Sequence, residues 1–350
     1  MPAYRVGMIG VGRPWKSAGA SGFGMAHAHA GGYAASPDTT IVALADLNGE
    51  NARAFQAEHG GEQVYTDYRE MLAREQLDIV SVCTWPRLHA EMVIAAAEAG
   101  VKAIHCEKPM APSFGEARRM VEVCEAHGVQ LTFNHQRRFA APFRMARDLL
   151  RSGAIGALQR MEATCPNLFD WGTHWFDMLF FYNDETPAEW VIGQTDMRDG
   201  ATIFGVTLEG QGLSHFRFEN GVTGLLTTGY GAASGLTTRL IGSDGVIEAG
   251  LGGTPLRSWG HGQSAWQAIA VPSESELGIV VQRGVLDLVD ALKNGREPEL
   301  SARRALRATE LIFATYESSR IGGRVDLPLD IDESPLSAMP ESIANRGFVP

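Results

Sequence analysis

The sequence predicts an α/β domain built on a doubly wound parallel sheet, followed by an α+β domain built on a mostly antiparallel sheet. Three observations support this fold class. An apolar strand near the N-terminus runs into a glycine turn, strands and helices then alternate to about residue 134, and strands with hairpin turns dominate residues 190–260. We therefore predict domains at 1–134 and 135–330 and an irregular tail at 331–350.

Length and composition restrict the class of protein. A chain of 350 residues suits about two domains. The formal net charge of −11 argues against nucleic acid or an anionic membrane as a partner, because either would repel the chain. The four cysteines show no CxxC or zinc spacing, which indicates reduced thiols. Since we also see no secretory leader and no membrane-spanning apolar run, we expect a cytoplasmic protein.

The first strand ends in a turn that is typical of dinucleotide binding. Arg5–Ile9 leads into Gly10-Val11-Gly12, whose glycines let backbone N–H groups approach a pyrophosphate at a helix N-terminus. Trp15 stands where the third small residue is usual, and Gly24 is the next helix-opening glycine. We therefore predict an expanded loop from Arg13 to Phe23. A lone GxG is a weak signal, so the prediction of a cofactor also needs support from residues further along the chain.

An acidic residue comes after the second strand. The β-branched segment Thr40–Ala45 ends at Asp46, 22 residues after Gly24. A carboxylate about 20 residues past the helix-opening glycine accepts hydrogen bonds from the ribose hydroxyls of NAD and repels the 2′-phosphate of NADP. Two alternatives are a simple turn aspartate, and an NADP phosphate reached by Arg13 or Lys16. The order of strand, glycine turn, helix, strand and acid favours NAD.

The alternation then continues with further helices and strands. Capping residues begin three more helices, at Asn48, at Asp67 with Glu70, and at Ser113 with Glu116. Three apolar strands have the pattern of a buried parallel sheet: Asp78–Cys83, Lys102–Cys106 and Leu131–Asn134. Thr84 and Trp85 stand at the carboxyl end of one strand and His89 opens the next helix, so we expect these three residues to contact the cofactor.

A lysine stands at the carboxyl end of the strand Lys102–Cys106. The strand leads into Glu107-Lys108-Pro109, where the proline stiffens the backbone just after the lysine. Groups at this end of a doubly wound sheet face the cofactor crevice, so we expect Glu107 and Lys108 beside the cofactor and Lys108 as a positioned cation. The alternative is a solvated turn lysine, which the tripeptide alone would favour.

The second half has a different architecture. Glu219-Asn220-Gly221 and Ser243-Asp244-Gly245 are hairpin signals and predict antiparallel pairing. Apolar residues at helical spacing predict a helix over Thr173–Tyr182. We also predict helices at 141–152, 276–293 and 302–319, and strands at 159–164 and 324–328.

A second cluster of reactive residues is Asp170-Trp171-Gly172-Thr173-His174-Trp175-Phe176-Asp177. Asp170 precedes the predicted helix and His174 lies in its first turn, so both can point toward one crevice. Alcohol oxidation needs a group that takes the hydroxyl proton, which histidine can do near neutral pH, and a cation near the developing alkoxide. The alternative is that Asp170 caps the helix and His174 is packed.

These motifs together resemble the Gfo/Idh/MocA oxidoreductase family. The resemblance rests on the glycine turn, Asp46, Glu107-Lys108-Pro109 and the Asp-x-Gly-x-His-x-x-Asp pattern over 170–177. Two further segments are similar to family patterns, the first-helix segment Gly24-Met25-Ala26-His27-Ala28-His29 with Tyr33, and the interdomain segment Gln136-Arg137-Arg138-Phe139. The sequence departs from the family in its long loop 13–23 and in residues 165–169, which replace a glycine-rich lead-in.

The resemblance implies a fold, a cofactor and a catalytic set. It implies a Rossmann domain with an open-faced sheet domain, NAD as cofactor, and a homodimer or homotetramer formed through the sheet. Lys108, Asp170 and His174 are the residues that match the family's catalytic motif. Three functional classes are open: an NAD-dependent dehydrogenase acting on a sugar or polyol, a glycoside hydrolase that uses NAD for transient oxidation, and a nucleotide-sensing protein without turnover. The intact lysine, acid and histidine argue against the third.

Several other side chains have two interpretations. Trp171 and Trp175, four residues apart, form a stacking wall for a sugar ring or belong to the core. Arg138 orients the substrate or pairs with an acid. His27 and His29 are two residues apart on a helix and face different directions, so we predict no metal site there.

Overall fold

The chain folds into two units, each made of segments that are distant in the sequence. The computed structural model describes residues 3–20, 22–198, 200–229, 237–250, 253–272 and 277–339. The first unit consists of Met1–Ala111, Glu116–Phe139 and Glu276–Ala305, and the second of Pro112–Gly115, Ala140–Ser275 and Leu306–Pro350. The domains predicted from the sequence are continuous and place residues 276–305 in the second domain, whereas here that segment belongs to the first unit.

The helices and strands of the described residues have well-defined bounds. The α-helices are α1 (Met25–Ala34), α2 (Gly49–His59), α3 (Tyr68–Arg74), α4 (Pro86–Glu98), α5 (Phe114–Ala126), α6 (Ala141–Arg151), α7 (Gly172–Tyr182), α8 (Leu277–Asn294) and α9 (Ala302–Ile321). The strands are β1 (Tyr4–Ile9), β2 (Thr39–Ala45), β3 (Gln63–Tyr65), β4 (Ile79–Val82), β5 (Ala103–Cys106), β6 (Gln130–Phe133), β7 (Leu158–Cys165), β8 (Ala188–Asp196), β9 (Thr202–Ile203), β10 (Val206–Thr207), β11 (Gln211–Phe218), β12 (Thr223–Thr228), β13 (Thr237–Gly242), β14 (Gly245–Gly250), β15 (Leu256–Gly260), β16 (Gln267–Ala268) and β17 (Val325–Asp326).

The first unit contains the predicted parallel sheet. Its six strands lie in the order β3-β2-β1-β4-β5-β6, and each neighbouring pair is parallel. This order reverses direction beside β1, so the carboxyl ends of β1 and β4 flank the point where such sheets bind nucleotides. The prediction of a doubly wound Rossmann sheet is confirmed.

Helix α8 belongs to the core of this unit. Its buried Val285, Leu288 and Val289 join a hydrophobic cluster with residues of β1, β2, β4, β5, α1 and α2. A Cβ at Gly32 of α1 would lie 2.6 Å from Cβ of Val285, so the glycine permits the two helices to approach closely. This burial explains why residues 276–305 return to the first unit although a long segment separates them from it in the sequence.

The second unit contains a nine-stranded sheet with one covered face. The strand order is β16-β15-β14-β13-β7-β12-β11-β8-β17, and only β7 and β12 pair in parallel among these described strands. Phe216 and Phe218 of β11 pack against the phenylalanines of α7, while the alternate residues Leu213, His215 and Arg217 are exposed. The prediction of an open-faced, mostly antiparallel sheet is therefore confirmed.

Most element bounds agree with the sequence predictions, with two differences in the first unit. The short edge strand β3 is additional to the five strands identified from the sequence. Helix α4 begins at Pro86 rather than at His89, because a proline is well suited to the first helical position, where its missing N–H would have no partner. Residue 276 of the predicted helix 276–293 and residues 340–350 of the predicted tail lie outside the described residues. Within the described residues, no helix combines the length and apolar character needed to cross a membrane.

Candidate active site

The glycine turn has the backbone conformation that a pyrophosphate cradle requires. Gly10 and Gly12 have φ of +77° and +56°, a region that side chains rarely adopt. A Cβ at Gly10 would lie 2.5 Å from Cγ2 of Thr84, whereas no described atom lies within 4 Å of a Cβ at Gly12. The side chain of Val11 is buried in the core, so only its backbone faces the turn. Open space beside Gly12 fits a bound phosphate group.

Asp46 lies directly beside this turn. Its carboxylate accepts hydrogen bonds from the backbone N–H of Gly12 at 2.8 Å and from that of Asn48 at 2.9 Å. Asn48 in turn caps α2 by accepting from the N–H of Glu50. The carboxylate is half-buried at the end of β2, where the ribose of a dinucleotide would be expected.

The expanded loop folds back onto the start of α1. Gly24 is the N-cap of α1 with φ of +63°, and a Cβ there would lie 2.8 Å from the backbone of both Arg13 and Trp15. The guanidinium of Arg13 donates to Oδ1 of Asn51 and to the carbonyl of Ala18. The ammonium of Lys16 lies 4.1 Å from the centre of the Trp15 ring. Both basic side chains of the loop thus have partners within the protein.

Three predicted cofactor contacts lie beyond the end of β4, and the structure separates their roles. Thr84 is half-buried against Gly10, and Trp85 is 38% exposed as the N-cap of α4. His89 is fully buried, and its ring nitrogens lie 3.0 Å from the carbonyl of Pro109 and 3.1 Å from that of Thr84. The prediction that His89 contacts the cofactor is corrected, because this ring holds the backbone around the lysine turn instead.

The lysine turn rests on a buried polar network. Oε1 of Glu107 lies 2.9 Å from Nε2 of His29 and accepts from Nδ2 of Asn134 at 2.7 Å. The other oxygen accepts from the backbone N–H of Lys108. The second nitrogen of His29 lies 2.9 Å from the hydroxyl of Ser81. Glu107 thus supports the turn from inside, while the side chain of Lys108 is half-buried.

The charges of this network are fixed by its contacts. Burial by itself raises the pKa of Glu107. The contacts with His29, Asn134 and Lys108 outweigh burial and lower this pKa to about 2. Burial lowers the pKa of His29, but interactions with Cys83 and Glu107 raise it to about 10. His29 and Glu107 therefore form a buried ion pair beneath Lys108.

Asp170 and His174 lie together at the start of α7 in the second unit. Asp170 is 4% exposed and His174 is 3% exposed. The side chain of Asn167 accepts hydrogen bonds from the backbone N–H groups of Asp170 and Trp171, at 2.7 and 3.1 Å. This pair of local hydrogen bonds from the backbone to one side chain fixes the backbone just before the helix. The sequence carries a signal for it that the predictions above did not use, an asparagine three residues before the aspartate.

Glu209 is a second supporting residue that the sequence motifs missed. Its carboxylate accepts from the N–H of Leu168 at 2.6 Å, from the hydroxyl of Thr228 at 3.1 Å and from that of Tyr316 at 2.5 Å. Burial raises the pKa of Glu209, while these hydrogen bonds act to lower it. Its partners are 41, 19 and 107 residues away in the sequence, so no local pattern could have identified it.

The remaining predicted substrate contacts differ in exposure. Trp171 is half-buried at the N-cap of α7, whereas Trp175 is fully buried with its ring edge-on to Phe143 at 5.6 Å. The prediction that Trp175 contacts the substrate is corrected, since this ring belongs to the core. Arg138 is 1% exposed and lies 3.2 Å from Glu299, which agrees with the ion-pair interpretation.

The structure brings the predicted residues together in two groups. Gly10, Gly12, Asp46 and Thr84 are neighbours in the first unit, which also contains Lys108. Asp170, Trp171 and His174 share the start of α7 in the second unit.

Comparisons with known proteins agree with this division. Residues 4–135 match the model of an oxidoreductase family with an NAD-binding Rossmann fold, and residues 166–248 match the Gfo/Idh/MocA C-terminal domain. A D-apiose dehydrogenase from Paraburkholderia graminis is 28% identical over 340 residues, which cover 87% of this chain and 88% of that protein. A myo-inositol 2-dehydrogenase from Thermotoga maritima is 26% identical over 70% of this chain and 75% of its own.

A solved structure shows the same fold. A levoglucosan dehydrogenase in complex with NADH and L-sorbose superimposes with a TM-score of 0.81 at 21% identity, covering 94% of this chain and 100% of that one. Because the family's two models match residues 4–135 and 166–248, the chain belongs to the Gfo/Idh/MocA family of NAD-dependent oxidoreductases, which act on CH–OH groups.

Proposed function

We propose that this protein oxidises a secondary hydroxyl of a sugar, polyol or sugar derivative, with Lys108, Asp170 and His174 as its catalytic residues. The observation that carries the proposal is the arrangement at the start of α7, where an acid and a histidine are held almost completely buried. The names of relatives support the substrate class, because they describe dehydrogenases of D-apiose and of myo-inositol.

The first unit supplies the residues that would hold NAD. The open space at Gly12 accepts the pyrophosphate, and the carboxylate of Asp46 accepts hydrogen bonds from the ribose hydroxyls. Thr84 and Trp85 complete the walls on the side of β4. Bound NAD supplies the acceptor for the hydride that leaves the substrate carbon. Arg13 and Lys16 are engaged inside the loop, which weakens the alternative in which they bind the 2′-phosphate of NADP.

Each catalytic side chain has one role in this proposal. His174 takes the proton from the reacting hydroxyl and returns it in the reverse direction. The ammonium of Lys108 stabilises the negative charge that develops on the oxygen. Asp170 accepts a hydrogen bond from the reacting hydroxyl or a neighbouring one and so orients the sugar, and the half-buried Trp171 offers it an aromatic surface.

Two further features of the proposal concern the assembly and its location. We propose a homodimer or homotetramer formed through the open face of the sheet, because Ile192 and Leu213 are 45% and 38% exposed on adjacent strands there. We propose a cytoplasmic location, because all four cysteines are free thiols.

The test is a panel of free sugars, polyols and glycosides with the purified protein and NAD. We expect NADH absorbance to rise with at least one free sugar or polyol, and D-apiose, myo-inositol and levoglucosan are the first to try. Cleavage of a glycoside without net NADH would instead identify an NAD-dependent hydrolase. Tight NAD binding without turnover of any compound would identify a nucleotide-sensing protein.

A further inference from the structure

Two helices of the first unit bring together two histidines and a glutamate, and one of the histidines, His27, also contacts the backbone of Gly12 in the glycine turn. His27 lies in the first turn of α1, and Glu58 and His59 end α2. Nδ1 of His27 is 2.8 Å from Nε2 of His59. The Glu58 carboxylate is 3.6 Å from the former atom and 3.5 Å from the latter. One ligand atom from each side chain thus lies within 4.8 Å of the other two.

These separations are close to those of a tetrahedral metal site. With metal–ligand bonds of about 2.0–2.2 Å, ligand atoms around a tetrahedral ion are about 3.3 Å apart. The two distances to Glu58 are close to that separation, although they join the two nitrogens to different carboxylate oxygens, Oε2 for His27 and Oε1 for His59. To admit an ion, the carboxylate must turn one oxygen toward both nitrogens, and the nitrogens need to part by about 0.5 Å. In the absence of an ion, one imidazole can donate a hydrogen bond to the other, which explains their shorter distance.

The surroundings hold the imidazole rings and leave the carboxylate accessible. The side chains of His27 and His59 are 14% and 17% exposed, and that of Glu58 is 58% exposed. The ring of Phe55 lies 4.8 Å from that of His27 and 4.5 Å from that of His59, so it packs against both. An ion would therefore meet two fixed nitrogen ligands and close the site with a mobile carboxylate.

We propose that His27, Glu58 and His59 bind one divalent transition metal ion of the zinc class. Two imidazoles and one carboxylate are suited to Zn²⁺, Co²⁺ or Ni²⁺, whereas Mg²⁺ and Ca²⁺ prefer oxygen ligands throughout. Three protein ligands leave a fourth position for water. The proposal departs from the expectation drawn from the sequence, where His27 was compared only with His29. His29 instead faces Glu107 in the core, and the partners of His27 come from another helix.

The test uses the full chain without an affinity tag, stripped of metal by a chelator. Zn²⁺ is titrated by calorimetry, and Co²⁺ by the visible absorption of a tetrahedral complex. We expect one site per chain. The variants His59→Gln and Glu58→Gln should each weaken binding by more than about tenfold, because even partners outside the ligand set often contribute that much.

A matched control separates this site from general binding to surface histidines. His127 is exposed near the end of α5 and outside the cluster, so His127→Gln should bind as tightly as the wild type. Glu58→Gln changes a mostly exposed side chain, so its fold should be preserved. Wild-type affinity in both His59→Gln and Glu58→Gln, or the absence of saturable binding in the wild type, would overturn the proposal.

Discussion

The carboxylate of Asp46 accepts two backbone hydrogen bonds beside the glycine turn and keeps oxygen lone pairs for a ribose. We predict that Asp46→Ser narrows the preference for NAD over NADP, because the carboxylate that binds the diol and repels a 2′-phosphate is lost. An unpaired polar group costs about 1–3 kcal/mol, so the ratio of the two dissociation constants should change about 5- to 150-fold. Dissociation constants of both cofactors provide the measurement.

The control for this change is Asp67→Ser. Asp67 caps α3 by accepting the N–H of Arg69, as Asp46 accepts that of Asn48, but it lies at the start of another helix. Its replacement should leave the cofactor preference as it is. An Asp46→Ser protein that keeps the wild-type ratio would show that this carboxylate does not read the ribose.

The buried pair of His29 and Glu107 makes a prediction about pH. The folded-state pKa of His29 is raised to about 10, so its contribution to stability is complete below its ordinary pKa of 6.5 and is lost as the pH rises through about 10. The pKa of Glu107 is lowered to about 2, so its contribution is complete above its ordinary 4.5 and is lost as the pH falls through about 2. Both contributions to stability are therefore complete only between pH 4.5 and pH 6.5, the ordinary pKa values of the two groups.

We therefore predict that His29→Gln destabilises the protein most between pH 4.5 and 6.5. Breaking one partner of a buried ion pair costs about 3–5 kcal/mol, and this difference from the wild type should shrink toward pH 10. Urea unfolding at several pH values measures it, with His127→Gln as the exposed control. A difference that stays constant from about pH 5.5 to about pH 9.5 would mean that His29 does not carry a charge in the folded protein.

The segment before α7 is positioned by Glu209 and Tyr316 of the same unit. We predict that Tyr316→Phe lowers stability by about 1.5–3 kcal/mol, because it removes a hydrogen bond to a buried carboxylate. It should also lower kcat with little change in NAD affinity, since Leu168 and the adjoining turn lose part of their support. Thermal unfolding and steady-state kinetics give the two readouts.

Tyr182→Phe is the matched control, because Tyr182 is also buried in the second unit but has a longer contact of 3.4 Å with the neutral hydroxyl of Thr238. Its effect on stability should be smaller. Equal losses in the two variants would indicate that the charge on Glu209 adds nothing to the bond with Tyr316.

Local sequence patterns predicted helices and strands well where apolar residues were periodic or where a capping or turn residue marked the end of the helix or strand. Asn48 and Asp67 cap α2 and α3 as expected, and both hairpin turns join antiparallel strands. The sequence could not show that Trp175 packs edge-on to Phe143 or that His89 binds the backbone around the lysine turn, because those contacts join distant segments. Exposure, unlike residue type, is set by the tertiary fold.

The order of strands and helices along the chain was enough to predict the fold class. It did not predict which segments of the chain form each unit. Helix α8 has the amphipathic pattern of any surface helix, and the sequence alone does not say which sheet its apolar face covers. Val285 and Leu288 complete the core of the Rossmann unit, so the chain returns to that unit after the second sheet. Assignment by sequence continuity therefore placed residues 276–305 in the other domain.

We propose separate roles for Lys108, Asp170 and His174 in the oxidation of one hydroxyl. If His174 is the base, its replacement removes the limb of the rate profile that falls toward acidic pH, since a protonated histidine cannot accept the substrate's proton. Replacement of Lys108 should lower kcat, because the negative charge that develops on the oxygen loses its stabilising cation. Replacement of Asp170 should lower the rate because the substrate is no longer held in its reactive orientation. None of the three changes should weaken NAD binding by as large a factor as it lowers the rate.

The most direct measurement is kcat/KM against pH for the wild type, Lys108→Met, Asp170→Asn and His174→Ala, with NAD affinity determined for each. His215→Ala, on the exposed face of β11, serves as the control histidine. We predict that His174→Ala loses about 10²- to 10⁴-fold in rate together with the acidic limb, while binding of NAD is retained. A His174→Ala enzyme with near-wild-type kcat and an unchanged acidic limb would contradict the assignment of His174 as the base and make Lys108 the candidate proton acceptor.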